Sequence, residues 1–286
     1  VYHRPALAFA SAETAAEMVE LYWQALLRDV PFAAYEDHRG AQAVAAELDG
    51  LDGYAGPGAD DGLDPSALLR GAEPGYTVGP HVSQFLYKYV PRDCQTADKR
   101  VPIATPGVDY LADYEDWLAV QNSGNPYDGS FREAESFVYD PELEERYIVT
   151  GRDLATYCHR SVPHGVYLDA GVLLNDGIPL PDGVQNGNVD FVRDEVTPGI
   201  PGVNLPVQHT AWVHKWVVHR RLHPEEYGGR VHHTGREDGL TYPVPGTLLD
   251  STAVAATHRE FGSDLLPQAY PVGCPTHPSF PAGHAA

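Results

Sequence analysis

Lys215, His219 and His223 recur at intervals of four in the stretch Trp212–Pro224, WVHKWVVHRRLHP. That spacing predicts that they share one face of a helix. Lysine is charged at neutral pH and histidine titrates close to it, so such a face can hold an anion and move a proton. A second stretch, Pro275–Ala286, reads PTHPSFPAGHAA. Its prolines at 275, 278 and 281 predict extended backbone, and Ala282, Gly283 and His284 predict the first turn of a helix. Pro281 is tolerated there because its missing N–H would have had no partner. The free N–H groups and positive dipole end of a helix start favour a bound oxyanion. Gly283 leaves room for close approach, and His284 has the titration range of a proton shuttle. The expected site is therefore a lysine of one helix aimed at an oxyanion held at the start of another. The plain alternatives are a solvated helix lysine and a Pro-rich loop entering a C-terminal helix.

Other chemistries fit less well. HRRLH lacks the general-base Glu of an HExxH zinc helix. No GxSxG elbow of a serine hydrolase is present. The acids Asp49, Asp52, Asp60, Asp61 and Asp64 lack the EF-hand spacing and read as a solvated loop. Cys94, Cys158 and Cys274 show no CxxC spacing, which argues against a structural zinc site. Cys158 falls in a helical pattern and is expected to be buried, whereas Cys94 and Cys274 lie in loops and are free to pair or not. His232–His233 reads as a loop pair rather than a ligand set.

The elements that must position these residues are mostly helical. Ser11 as N-cap and apolar residues at Ala15, Met18, Val19, Tyr22, Ala25 and Leu26 predict a helix over 12–29. Further helices are expected at 38–49, from Pro65 to about Arg70, at 108–122, at 150–174 with a kink at Pro163, at 207–222, and at 247–262 with Thr247 as N-cap. Residues 79–90 read as helical or extended, and 137–149 as mixed. Loops are expected at 91–107, 123–135, 223–246 and 263–281, and an irregular Gly/Pro-rich insertion at 175–206. No strand with sustained alternation and no internal repeat is evident. The expectation is a mainly α-helical bundle with long Pro/Gly-rich loops, forming a single domain over 1–286.

Composition narrows the class. The chain has 286 residues, 43% of them hydrophobic, and no apolar run long enough to span a membrane. It begins at Val1, which suggests a processed or incomplete N-terminus, and shows no leader pattern. Forty acidic residues face nineteen basic ones, for a net charge of −21, and the lysines are Lys88, Lys99 and Lys215. A surface so acidic and poor in lysine suits a high-salt environment, where self-repulsion is screened, in the cytoplasm or outside the cell. It has no basic stripe for nucleic acid.

Together the two opening stretches, as WxxKWxVHRRLxPExxGGRV and HPSFPxGHA, resemble the vanadium-dependent haloperoxidases of the algal bromoperoxidase type and their bacterial relatives. That family shares a superfamily with the type 2 phosphatidic acid phosphatases. The resemblance extends to AAEMVELYWQALLRDVPF (15–32), GPHVSQFLYKYVP (79–91), DYLADYEDWLAVQN (109–122) and TGRDLATYCHRSV (150–162). It implies a helical bundle, a vanadate cofactor and oxidation of halide, bromide before chloride, with hydrogen peroxide. It implies that Lys215 neutralises vanadate oxygens, Gly283 donates a backbone N–H, and His284 is the acid–base histidine. His277 corresponds to the histidine that tunes halide and peroxide handling, and Trp212 to an aromatic wall. Three departures stand out. His223 occupies the place of an Arg, Ala282 that of a Ser, and the motif with a second Arg and the vanadium-ligating His is not recognisable before Ala286. A second chain carrying that motif, and a homo-oligomer, are the implied partners. An acid phosphatase on the same scaffold and a decayed assembly protein are the other readings.

Overall fold

A computed structural model describes residues 5–56, 62–68, 90–92, 95–123, 145–161, 165, 168–169, 191–234, 236, 240–275 and 277–282. Helix α1, Ala12–Leu26, is the axis of the core. Ser11 caps it by accepting the Thr14 N–H at 3.2 Å, and Glu13 in the first turn suits the dipole. Ala15, Met18, Val19, Tyr22 and Ala25 recur at helical spacing and are all buried. They pack against α2, Arg39–Asp49, and against α7, Gly246–Leu249, and α8, Thr252–Phe261. Val44, Leu48, Leu248, Ala253 and Val254 close this core. Each fully buried Leu or Val contributes about 1.5–3 kcal/mol. The one polar atom of Tyr22 is satisfied, its hydroxyl donating to the Asp264 carbonyl at 2.6 Å.

Helix α4, Gly151–Arg160, starts with a capping box in which Thr150 and Asp153 exchange side-chain and backbone hydrogen bonds. Arg152 then pairs with Asp29 at 2.6 Å and Asp109 at 3.1 Å, and Arg28 with Asp109 at 3.0 Å. This network ties the end of α1 to the loop before α3, Tyr114–Ser123.

The mainly helical architecture agrees with the sequence, but several boundaries do not. The expected loop 91–107 contains a small antiparallel hairpin, β1 Val90–Arg92 with β2 Gln95–Ala97. Helix α3 begins at Tyr114 rather than 108, because Leu111 has φ 57° and Asp113 accepts the Glu115 N–H as a start signal. Helix α4 stops at Arg160, short of Pro163, which lies outside the described residues. The described part of the expected irregular insertion, 191–206, is the greater part of α5, Phe191–Val213, which runs through Pro198, Pro201 and Pro206. Residues 223–246 are not all loop: α6 spans Pro224–Thr234. Its signals were Pro224 at the first position and Glu225 and Glu226 in the first turn. Gly228 and Gly229 looked like breakers, yet they are contact points. A Cβ at Gly229 would overlap the Trp117 ring, and one at Gly228 would press on Leu266. His232 and His233 therefore sit on α6, with His232 buried and accepting the Asp264 N–H at 3.3 Å. The helix expected at 247–262 is broken at Ser251, and Ser251, not Thr247, caps its second part. Cys158 is exposed on α4 rather than buried. Cys94 lies outside the described residues, and Cys274 is a free thiol.

Candidate oxyanion site around Lys215

Helix α5 does not continue as an α-helix through Lys215. From His214 to His219 it widens into a π-turn, and Arg220 ends it in the left-handed region at φ 48°, its N–H bonding to the Lys215 carbonyl at 2.9 Å. Single π-turns inside helices recur at functional sites because they re-aim a side chain. Here the helix stops at Arg220, so the four-residue face expected from sequence does not reach His223. The His219 ring makes contacts of its own: its Nδ1 lies 3.4 Å from the Ala6 N–H, and it meets Phe280 edge to face. His223 does come to Lys215, but by chain reversal. It sits just before α6, and its backbone N–H is held by the Glu226 carboxylate at 3.0 Å.

Lys215 is 3% exposed. Its ammonium donates to the Pro278 carbonyl at 2.7 Å and the Ser279 carbonyl at 3.2 Å, and lies 3.4 Å from His277 Nδ1. Among the described residues no carboxylate pairs with it. Burial therefore pulls its pKa down, with no anion to oppose the shift. The third ammonium direction, toward His277, is the longest contact and the one an oxyanion can take over. His277 Nδ1 lies 3.0 Å from its neighbouring Pro278 carbonyl and 3.5 Å from His223 Nε2. It can serve the carbonyl only as a donor and Lys215 only as an acceptor, so the tautomer decides which contact holds. His223 is pushed down to about 4, by burial first and then by the charges of His277 and Lys215. At neutral pH it is an uncharged ring. The Trp212 ring, 44% exposed, meets His277 edge-on at 5.1 Å between centroids.

The 277–282 segment is tied down independently. Ser279 donates its backbone N–H to the Arg221 carbonyl at 2.9 Å and its hydroxyl to the Leu222 carbonyl at 2.7 Å. Arg220 and Arg221 are engaged elsewhere. Arg221 pairs with Glu17 at 2.5 Å, and Arg220 folds back on the Trp216 carbonyl at 2.8 Å. Thus Lys215, His223, His277 and Trp212 come together as the sequence suggested. Ala282 is exposed one residue beyond a buried Pro281. Gly283 and His284 lie outside the described residues. Sequence reasoning missed the Pro278 and Ser279 carbonyls, the Ser279 tether and Glu225. The only available signal was the PExxGG run itself.

A buried ammonium with carbonyl dipoles but no counter-ion among the described residues fits an oxyanion such as vanadate. The neutral His223 offers one N–H where a guanidinium would offer a fork. No three-residue cluster of His, Cys, Asp or Glu able to hold a metal ion occurs among the described residues. No described helix is long and apolar enough to cross a membrane.

No protein-family model matches the sequence. A vanadium-dependent bromoperoxidase of Ascophyllum nodosum is 33% identical over 298 residues, covering 96% of this chain and 52% of that protein. One of Corallina pilulifera is 29% identical over 350 residues, covering 98% and 57%. The chain thus spans about half the length of the relatives it matches. Among solved structures, the homohexameric second vanadate-dependent bromoperoxidase of Ascophyllum nodosum superposes with a TM-score of 0.82 at 26% identity, over all of this chain and 49% of that one. With the motifs around Lys215 and His277 folded into one cluster, and relatives of one kind matching nearly its whole length, these likenesses support placing the chain with the vanadium-dependent haloperoxidases.

Proposed function

We propose that the chain forms the Lys215 half of a vanadate-dependent haloperoxidase that oxidises halide, bromide by preference, with hydrogen peroxide. The observation that carries this reading is the buried Lys215 ammonium, uncompensated by any described carboxylate and facing His277 and His223. Vanadate, when bound, supplies a Lewis acid that activates peroxide without changing oxidation state. Lys215 contributes a fixed positive charge to an oxyanion in a site shielded from water, where it acts more strongly than in solvent. His277 contributes a ring nitrogen that can hold or release a proton within reach of that anion. His284, beyond the described residues, is proposed as the acid–base group, and Gly283 and Ala282 as the backbone wall. His223 in place of Arg and Ala282 in place of Ser each remove donors, so affinity for vanadate should be below that of a site with both.

The remaining parts are proposed to come from outside residues 1–286: a segment or second chain bearing the vanadium-ligating His and the second Arg. The chain is also proposed to form a homo-oligomer, as its hexameric structural relative does. The exposed apolar residues Val203, Leu205, Val213, Val217 and Val218 flank the site and offer a surface for such contacts. The test is bromination of monochlorodimedone by the native protein with bromide, peroxide and orthovanadate. Vanadate-dependent bromination is expected. Hydrolysis of p-nitrophenyl phosphate without bromination would replace the proposal by a phosphatase.

A further inference from the structure

Glu225 is the second residue of α6, two positions after His223, and is 1% exposed. Its carboxylate has no cationic partner among the described residues. Its lone pairs are used instead by two N–H donors. Oε1 accepts from the Gln121 side-chain amide at 2.6 Å, and Oε2 accepts the backbone N–H of Cys274, three residues before His277. The chain is shaped around that second contact. Gly273 adopts φ +60°, and a Cβ there would overlap the Glu225 carboxylate. Helix α3 is locked to the same point, because Trp117 Nε1 donates to the Glu225 carbonyl at 3.3 Å. Burial raises the carboxyl pKa, and the two accepted hydrogen bonds work against that shift.

We propose that Glu225 is a positioning residue for the oxyanion site: anchored on Gln121, its carboxylate holds the Cys274 N–H and thereby sets His277 against His223 and Lys215. The Ser279 tether fixes the segment beyond His277, and the Glu225 clamp fixes the segment before it. His277 is therefore gripped from both sides while its ring stays free to change partners. A side chain needed only to fill space in that slot would be apolar. This one directs an acceptor at a single amide of the site loop, at the cost of desolvating a carboxylate. The inference rests on the oxyanion reading for its ligand arm only, since the position of the His277 ring can be read without any ligand.

The experiment compares wild type with Glu225→Ala and Glu225→Gln by histidine ring NMR in ligand-free protein, then by orthovanadate titration. Glu225→Ala should shift the ring signals of His277 and His223 while leaving His258, which lies on α8 and pairs with Asp264, in place. It should weaken orthovanadate binding about tenfold, the scale of one lost charged hydrogen bond. Glu225→Gln should restore both, because its carbonyl can accept the Cys274 N–H while its amide donates to a flipped Gln121. Should Glu225→Ala fail to fold, Gln121→Ala removes the anchor and should move the same two rings in the same direction. Unmoved rings in Glu225→Ala or Gln121→Ala, or a Gln variant as disruptive as Ala, would overturn the proposal. A wild-type chain that binds no orthovanadate sinks the oxyanion reading, and the ring comparison still decides on Glu225.

Discussion

The α1 core and the α5 edge are both helical and both rich in apolar residues, yet they use them in opposite ways. In α1 the apolar positions turn inward, with Ser11 and Glu13 at the capped end. In α5 and its π-turn, residues 196–214 contain no Asp, Glu, Lys or Arg. There Val203, Leu205, Val213 and Val217 face outward, Val217 being 69% exposed, while the charged Lys215 is buried. A helix apolar on most sides normally lies inside a larger body. The difference teaches that one region is folded by its own pattern. The other is arranged around a buried charge, with apolar side chains on its exposed face.

The comparison can be broken first by truncation. Tyr22→Ala should lose about 3–5 kcal/mol of stability by removing a fully buried aromatic ring, whereas Val217→Ser should stay within about 0.5 kcal/mol. Thermal melts of the two variants check this, and equal losses would show that α5 is as much core as α1. Next come opposite pH responses. Burial, then Glu17, raises Glu20 on α1 to about 7. The native state thus keeps a proton that the unfolded chain releases near 4.5. That contribution is full below 4.5 and is lost as pH rises through 7. Glu20→Gln should therefore be more stable than wild type at pH 8. His223 behaves in reverse. Its pKa is lowered to about 4, so its contribution is full above the ordinary value of 6.5 and is lost as pH falls through 4. His223→Gln should flatten the acid limb of a stability–pH curve, and an unchanged limb would mean the ring is not buried as described.

His223→Arg should tighten orthovanadate binding at least about tenfold by restoring a charged, forked donor. Calorimetry is the check, and weaker binding would show that the neutral ring suits this site better than a cation does. A modest loss is expected at the start of α1, where Ser11→Ala should cost about 1 kcal/mol, measured by urea unfolding.

Much of the core was legible because it obeys local rules. The period of Ala15, Met18, Val19 and Tyr22 and the Ser11 cap each announce themselves within a few residues. The site was legible in part for a different reason: Lys215, His223, His277 and Trp212 sit in motifs shared with a family. Their three-dimensional arrangement was not legible. The helix ends in a π-turn at 214–219 with Arg220 left-handed, which takes His223 off the face that a continuing regular helix would have given it, and no propensity marks such a turn. The part of α5 before residue 207 was missed because Pro198, Pro201 and Pro206 argue locally against a helix. Helix α6 was missed because Gly228 and Gly229, read as breakers, are there to admit Leu266 and Trp117. The Glu225 clamp joins residues 49 apart in the chain, a separation at which local spacing carries no signal.

The central claim is that Lys215 is the charge on which an oxyanion rests. The direct measurement is a calorimetric titration of wild type and Lys215→Met with orthovanadate at pH 8, both variants first shown to be folded. Lys215→Met keeps the length of the side chain and removes the charge. Wild type should bind one orthovanadate, and the variant should lose at least about a hundredfold in affinity, the scale of removing one partner of a buried charge pair. Equal affinity in the two proteins, or binding in neither, would contradict it.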